Sequence, residues 1–487
     1  MEITNQLKNQ HLLWRAGFGP AVEQLDDLHK YKPEKYYAAL AKASSGEPQY
    51  INVAGQPLIN AYEDLQDARK KGDYSDIQRR EINRMLRTAV KDLNLYWLKE
   101  MITTPAQLRE KMAFFWHGHF ASRNGNIFYN QLLLNVFRQY ALSDFGTLLK
   151  QVSHSASMLY FLNNQQNRKG RPNENFAREV MELFTLGRGH YTEKDIKEAA
   201  RAFTGWASNA HGAFIFRENF HDDGIKTVLG KTGNFKGDDV LDIILENKQT
   251  AKFITQKIYR FFVNDNIDTA IVNQLADRFY SSNYNISKLM EDIFTSDWFY
   301  SEKNIGARIK SPVELLVGIQ RMVPMKLDND APLFNLQRIL GQQLLYPPNV
   351  AGWPGGKSWI DSSTLMMRLR IPQMFNDKDE LNVAPKQDDD VMMGRKNDGT
   401  AAVPGKQAAP KKVYGAIAAK IDWAQYVARY DKTKKEDILS KIKTNLFLVD
   451  ASGVENTVGK NIDPSSPEMY IKSATIQLMS TPEYQLC

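Results

Sequence analysis

The chain has 487 residues, 43% of them apolar, which is ample for a sizeable core. Its 63 basic and 56 acidic side chains leave a formal charge of only +7. The one locally basic stretch, 406–420, is Ala-rich with a single aromatic, Tyr414, and reads as linker, so nucleic-acid binding is not expected. Cys487 is the single cysteine, which excludes an intrachain disulfide and any cysteine-rich metal or cluster site. The first residues lack the basic and apolar regions of a signal peptide, and no apolar run approaches the roughly 18–20 residues of a membrane span. The expected location is therefore cytoplasmic, with no transmembrane segment.

In chain order the texture is helical. Ile82, Met85, Leu86, Ala89, Val90, Leu93, Tyr96 and Trp97 recur at helical spacing between Glu81 and Met101. Thr104, Pro105 and Gln107 have the form of an N-cap, a first helical proline and a capping box. They predict a second helix from near Pro105 toward His117, and Leu132 to Tyr140 predicts a third. Asn173 to Gly187 reads as one helix, ended at Gly187 or Gly189. Thr192 and Asp195 form a capping box that opens another, running to Thr204.

The texture then changes. Ala213–Arg217 and Thr227–Leu229 look like short strands with Asp222-Asp223-Gly224 as the turn between them. The expected fold is thus mainly α, a large helical domain with a small β-hairpin inserted around 213–230. Helices resume over 238–263, 285–299, 312–322 and 334–345. The loop 346–356, with three prolines and three glycines, is irregular, and Trp353 within it is expected to pack against the body. The expected organisation is a main domain over 1–375, a disordered insertion over 376–412, and C-terminal helices over 413–487 that pack back.

Three motifs can carry chemistry. In Trp116-His117-Gly118-His119, histidine is a frequent metal ligand and acid/base group. Residues two apart on a continuous helix point about 200° apart, so both rings reach one metal only if the chain unwinds at Gly118. The stripe Leu108, Met112, Phe115, His119 places His119 in the core and turns His117 elsewhere, and the surrounding aromatics favour neutral imidazoles. In Asn173–Phe184, Glu179 and Glu182 are three apart and share a face, as a metal site or an acid/base pair requires. Glu174 and Arg178 are spaced for an i, i+4 ion pair. In the third, His221-Asp222 sits at the predicted turn. Phosphate-loop, dinucleotide-binding, nucleophile-elbow and His-Glu-x-x-His patterns are absent.

Taken together, these segments resemble the bacterial family known as domain of unknown function 1800. The resemblance rests on His11-Leu12-Leu13-Trp14-Arg15-Ala16-Gly17-Phe18-Gly19, on Phe114 to Ala121 (where Gly118 stands in place of the family's usual Asn), and on Asn173 to Trp206. It continues through His221-Asp222 with Lys226–Gly230, Pro347 to Trp359, and Ser480 to Gln485. The resemblance implies no settled activity. It implies a partner, since such proteins are commonly encoded beside a sulfatase-like family often exported by the twin-arginine route, and with it an envelope-associated role. It groups His11, His117, His119, Glu179, Glu182, His221 and Asp222 as one set.

The leading expectation is a metal-dependent enzyme, hydrolytic or oxidative. His117, His119 and His221 would hold a divalent metal ion, with Glu179, Glu182 and Asp222 catalytic and His11 a further candidate. The rival is a non-catalytic helical scaffold or maturation partner in which these residues form a buried polar network. A third reading is a helical pocket for haem or another cofactor.

Overall fold

Why the helix Gln107–His119 lies at the centre follows from its composition. Apart from Gly118, all of its residues are buried, including Arg109, Glu110 and Lys111. A helix apolar or paired on every side has no solvent face, so other helices must surround it. Pro33–Ser44, Asp76–Thr103 and Ile127–Gln139 do so. The buried charges are matched. Glu110 accepts from Arg138 Nε on both oxygens at 3.0 Å and from Trp97 Nε1 at 2.9 Å. Lys111 Nζ lies 2.5 Å from Glu314 Oε1 and also donates to the carbonyls of Trp14 and Gly17.

The computed structural model describes residues 2–72, 75–377 and 417–487. It is 61% helix and 5% strand, a mainly α fold with small two-stranded sheets. Most of the expected insertion over 376–412 lies outside the described residues. The 417–487 portion packs on the body. β5 (Met325–Leu327) pairs antiparallel with β6 (Ala419–Ile421), Met325 opposite Ile421. Gln10 Nε2 donates to the carbonyls of Thr444 and Asn445, and Ile309 bridges Leu486. Among the described residues no helix is long and apolar enough to cross a membrane.

Several predicted boundaries shift for identifiable reasons. The helix after Thr104 begins at Gln107 rather than Pro105, and no capping box forms. Gln107 Nε2 instead donates to the Met101 and Thr104 carbonyls, while its Oε1 accepts from Phe18 N. The Thr192–Asp195 box is present at the head of the helix Glu193–Ala202. The predicted helix 173–187 is a short α segment, Asn175–Glu179, followed by a π-helical turn, Val180–Thr185. Thr185 Oγ1 donates to Val180 O, and both Leu186 N and Gly187 N converge on Met181 O. The Phe184 carbonyl is left free for another partner.

The single hairpin over 213–230 is corrected to two. β1 (Trp206–Ser208) pairs with β2 (Phe214–Phe216), and β3 (Lys226–Val228) pairs with β4 (Lys231–Gly233). Leu229 and Gly230, both at positive φ, make the two-residue turn that closes β3 onto β4 rather than onto β2. Asp222-Asp223-Gly224 therefore joins two hairpins instead of closing one.

Candidate functional site

His117 and His119 lie on one unbroken helix, which runs through Gly118 to its last residue, His119. The unwinding that a shared metal required does not occur. The two rings serve different neighbours, and both are buried, whereas His117 was expected to turn away from the core. His117 Nε2 accepts the Leu345 main-chain N–H at 3.0 Å, and its ring packs on Trp97 and Trp353 at 5.3 and 5.2 Å. His119 Nε2–H donates to the freed Phe184 carbonyl at 3.1 Å, within a cage of Phe115, Trp116, Phe120 and Phe184. These partners require opposite tautomers, the proton on Nδ1 in His117 and on Nε2 in His119. Burial pushes His117 down to about 3. Burial, then the Lys257 ammonium, holds His119 well below the usual imidazole range.

The loop carrying Trp353 closes over this helix end. Gly352, at φ +82°, approaches the Gly118 carbonyl so closely that a Cβ there would lie 2.3 Å from the oxygen. Two segments that looked like separate motifs are thus one packed unit.

Glu182, Asp222 and His221 are engaged elsewhere, and Glu179 and His11 stand apart from them. Glu182 accepts from Arg188 Nε and the Tyr191 hydroxyl, both at 2.5 Å, and these bonds lower its pKa. Glu179 is half-buried; desolvation and then the Glu182 charge raise its pKa. Asp222 pairs with Arg201 at 2.8 and 3.0 Å, which holds it at about 2. His221 is buried, its Nδ1 against the carbonyl and hydroxyl of Thr204. His11 is fully buried 4.6 Å from the Phe299 ring, with only a weak main-chain contact to Phe299, and burial and Arg15 keep it neutral. Arg178 bonds Glu174 at 3.3 Å, the pair its spacing predicted, and also Glu193 at 2.7 Å.

A metal ion needs three or four such side chains converging on one point. Among the described residues no group of three His, Cys, Asp or Glu does so. The predicted ligand set does not fit a metal: His117 has spent its Nε2 lone pair on Leu345, and His119, His221, Glu182 and Asp222 are tied to separate parts of the fold.

What the structure does bring together was missed in the sequence. An open cleft of about 860 Å³ is lined by Gln165, Gln166, Arg168, Arg171, Asn173 and Asn175, with Glu174, Arg178, Arg217 and Phe220. Two buried asparagines build it. Asn167 Nδ2 donates to Ala200 O and Asn164 Oδ1, and its Oδ1 accepts from Asn173 N. Lys169 N donates to Phe220 O at 2.8 Å, tying the Arg168–Arg171 turn to the wall opposite. One signal pointed here: from Asn163 to Asn175 the only residues without a polar side chain are Gly170 and Pro172, an unbroken amide-rich, basic run.

A family model described as "Protein of unknown function (DUF1800)" matches residues 11–486. No curated protein and no solved structure matches the chain.

Proposed function

The chain belongs to the DUF1800 family, and on that premise we propose that it is a non-catalytic helical binding scaffold whose recognition surface is the 165–220 cleft. The observation that carries this reading is the dispersal of the motif residues. His117 ties the Leu345 main chain, His119 the Phe184 carbonyl, His221 the Thr204 turn, and Asp222 the Arg201 helix. Each spends its hydrogen bond holding one element to another, as in a buried network that specifies packing. The cleft is the part of the same motif region left open, with polar groups facing solvent. A sulfatase-like protein, the partner that the family resemblance implies, belongs to this proposal as the protein the scaffold serves.

Elemental analysis tests the reading. Protein purified without chelators should carry well under one equivalent of any transition metal. A full equivalent, lost in a folded His117→Gln/His119→Gln variant, would restore the metal-dependent enzyme.

One observation favours a second reading. Glu179 and Glu182, one turn apart, have pKa values pushed in opposite directions. Pairs separated in this way supply an acid and a base in hydrolases. In that reading Glu179 is the proton donor and Glu182, ionised by Tyr191 and Arg188, the base. Hydrolysis of any ester or glycoside that disappears in Glu179→Gln while Glu182→Gln also loses activity would support it.

A further inference from the structure

The turn Arg168-Lys169-Gly170-Arg171 places two like charges face to face. Arg168 and Arg171 form an antiparallel bridge, Arg171 N donating to Arg168 O at 3.0 Å across a two-residue turn with Gly170 at φ +77°. Residues directly opposite in such a pair project to the same side, with Cβ atoms about 4.5–5.5 Å apart. Both line the cleft and both are exposed. Neither makes an ion pair among the described residues, although Arg178 a few residues on has two carboxylate partners. Opposed like charges destabilise a strand pair. Here the turn is nonetheless held rigidly, by Asn167 beneath it and Phe220 O beside it. A rigid frame that sustains an unneutralised pair of guanidinium forks is preorganised for an oxyanion bridging them.

The rest of the wall indicates what carries the oxyanion. The cleft is far larger than one ion and is lined by the carboxamides of Gln166, Asn173 and Asn175, which both donate and accept. Phe220 is 38% exposed at the rim, with the Arg217 guanidinium 4.9 Å from its ring. Amides suit hydroxyl groups, and a partly exposed aromatic face suits the C–H face of a pyranose. Arginine clusters also recognise acidic peptide motifs, but the carboxamide-rich wall beside a partly exposed aromatic ring matches a polyhydroxylated ring more fully.

We propose that the cleft binds an anionic saccharide, its carboxylate or phosphate clasped between Arg168 and Arg171 and its hydroxyls met by Gln166, Asn173 and Asn175. This rests on the reading of the cleft as the scaffold's recognition surface.

The test is isothermal titration of the full chain, at fixed ionic strength, with four probes: trigalacturonic acid, glucose 6-phosphate, neutral maltotriose and a hexaglutamate peptide. Wild type, Arg168→Gln/Arg171→Gln and Arg84→Gln (an exposed arginine outside the cleft) are compared, with circular dichroism confirming the fold of each. The expected result is binding of one or both anionic sugars, weaker by roughly tenfold or more in the double variant and unchanged in Arg84→Gln. Maltotriose should bind at least tenfold more weakly than the anionic sugars. Which sugar binds identifies the oxyanion as carboxylate or phosphate. Binding of hexaglutamate alone, lost in the double variant, would overturn the saccharide assignment and leave the binding scaffold standing. Binding of no anion, or anion binding indifferent to the double variant, would overturn both.

Discussion

His117 Nε2 accepts a 3.0 Å hydrogen bond from the main-chain N–H of Leu345, 228 positions further along the chain. The bond fixes where the helix Ala331–Ile339 hands over to the Pro- and Gly-rich loop, and the loop's Trp353 then covers the same imidazole. Removing the ring leaves a buried donor unpaired and opens space between Trp97 and Trp353. We expect His117→Ala to cost about 2–4 kcal/mol by urea unfolding. His117→Gln retains an acceptor at similar reach and should cost about half as much. Equal losses would mean that the hydrogen bond contributes nothing.

Stability should fall in mild acid through the same residue. His117 titrates at about 3 when folded and near 6.5 when unfolded, so between these values the unfolded chain binds the extra proton. Its contribution is complete above pH 6.5 and is lost progressively as pH falls toward 3. His11 and His119, also shifted downward, act in the same direction. Between pH 7 and 4.5, His117 alone accounts for about 2–3 kcal/mol. The acid-induced loss of unfolding free energy should therefore shrink by about that much in His117→Gln. An unchanged pH slope would show that His117 is not held neutral.

Two glycines in contact should respond in opposite ways. At Gly352, φ is +82° and a Cβ would lie 2.3 Å from the Gly118 oxygen. Gly352→Ala should cost about 2 kcal/mol or more. At Gly118 a Cβ meets nothing within 4 Å and the backbone is helical. Gly118→Ala should be neutral or stabilising by up to about 1 kcal/mol. Thermal melts of the two variants check the contrast, and a Gly118→Ala loss comparable to that at Gly352 would contradict the packing described.

The Lys111–Glu314 pair is fully buried in the core. Burial alone would push Glu314 up, but Lys111 and Arg308 hold it down at about 2. Lys111→Met strips that buried carboxylate of its nearest cation, leaving only Arg308 at 4.0 Å, and should cost about 3–5 kcal/mol, and adding Glu314→Gln should restore a large part of it. A double-mutant cycle measures the coupling, and additive losses would show that the two side chains do not depend on each other.

Local signals were legible in the sequence, and distant partners were not. The Thr192–Asp195 box and the Glu174–Arg178 pair are set by spacing within one turn, and both appear. The burial of His119 followed from its helical stripe, whereas that of His117 depends on Leu345 and Trp353, which no periodicity links to it. β2 and β3 were placed almost correctly but joined to each other, because pairing depends on the turns and on β1 and β4, which carry little signal of their own. The histidines and carboxylates stood out as letters that often ligate metals. The arginine turn did not, because its meaning rests on a φ angle at Gly170 and a brace from Asn167.

The tautomers of His117 and His119 offer the most direct test that the family motifs pack rather than ligate. Long-range proton–nitrogen spectra of protein carrying ¹⁵N-imidazole histidine should show His117 protonated on Nδ1 and His119 on Nε2, as their partners Leu345 N and Phe184 O require. One equivalent of zinc should leave both sets of signals in place. A zinc-induced shift of His117 Nε2, with release of its bond to Leu345, would contradict the assignment of these residues to packing and return them to metal chemistry.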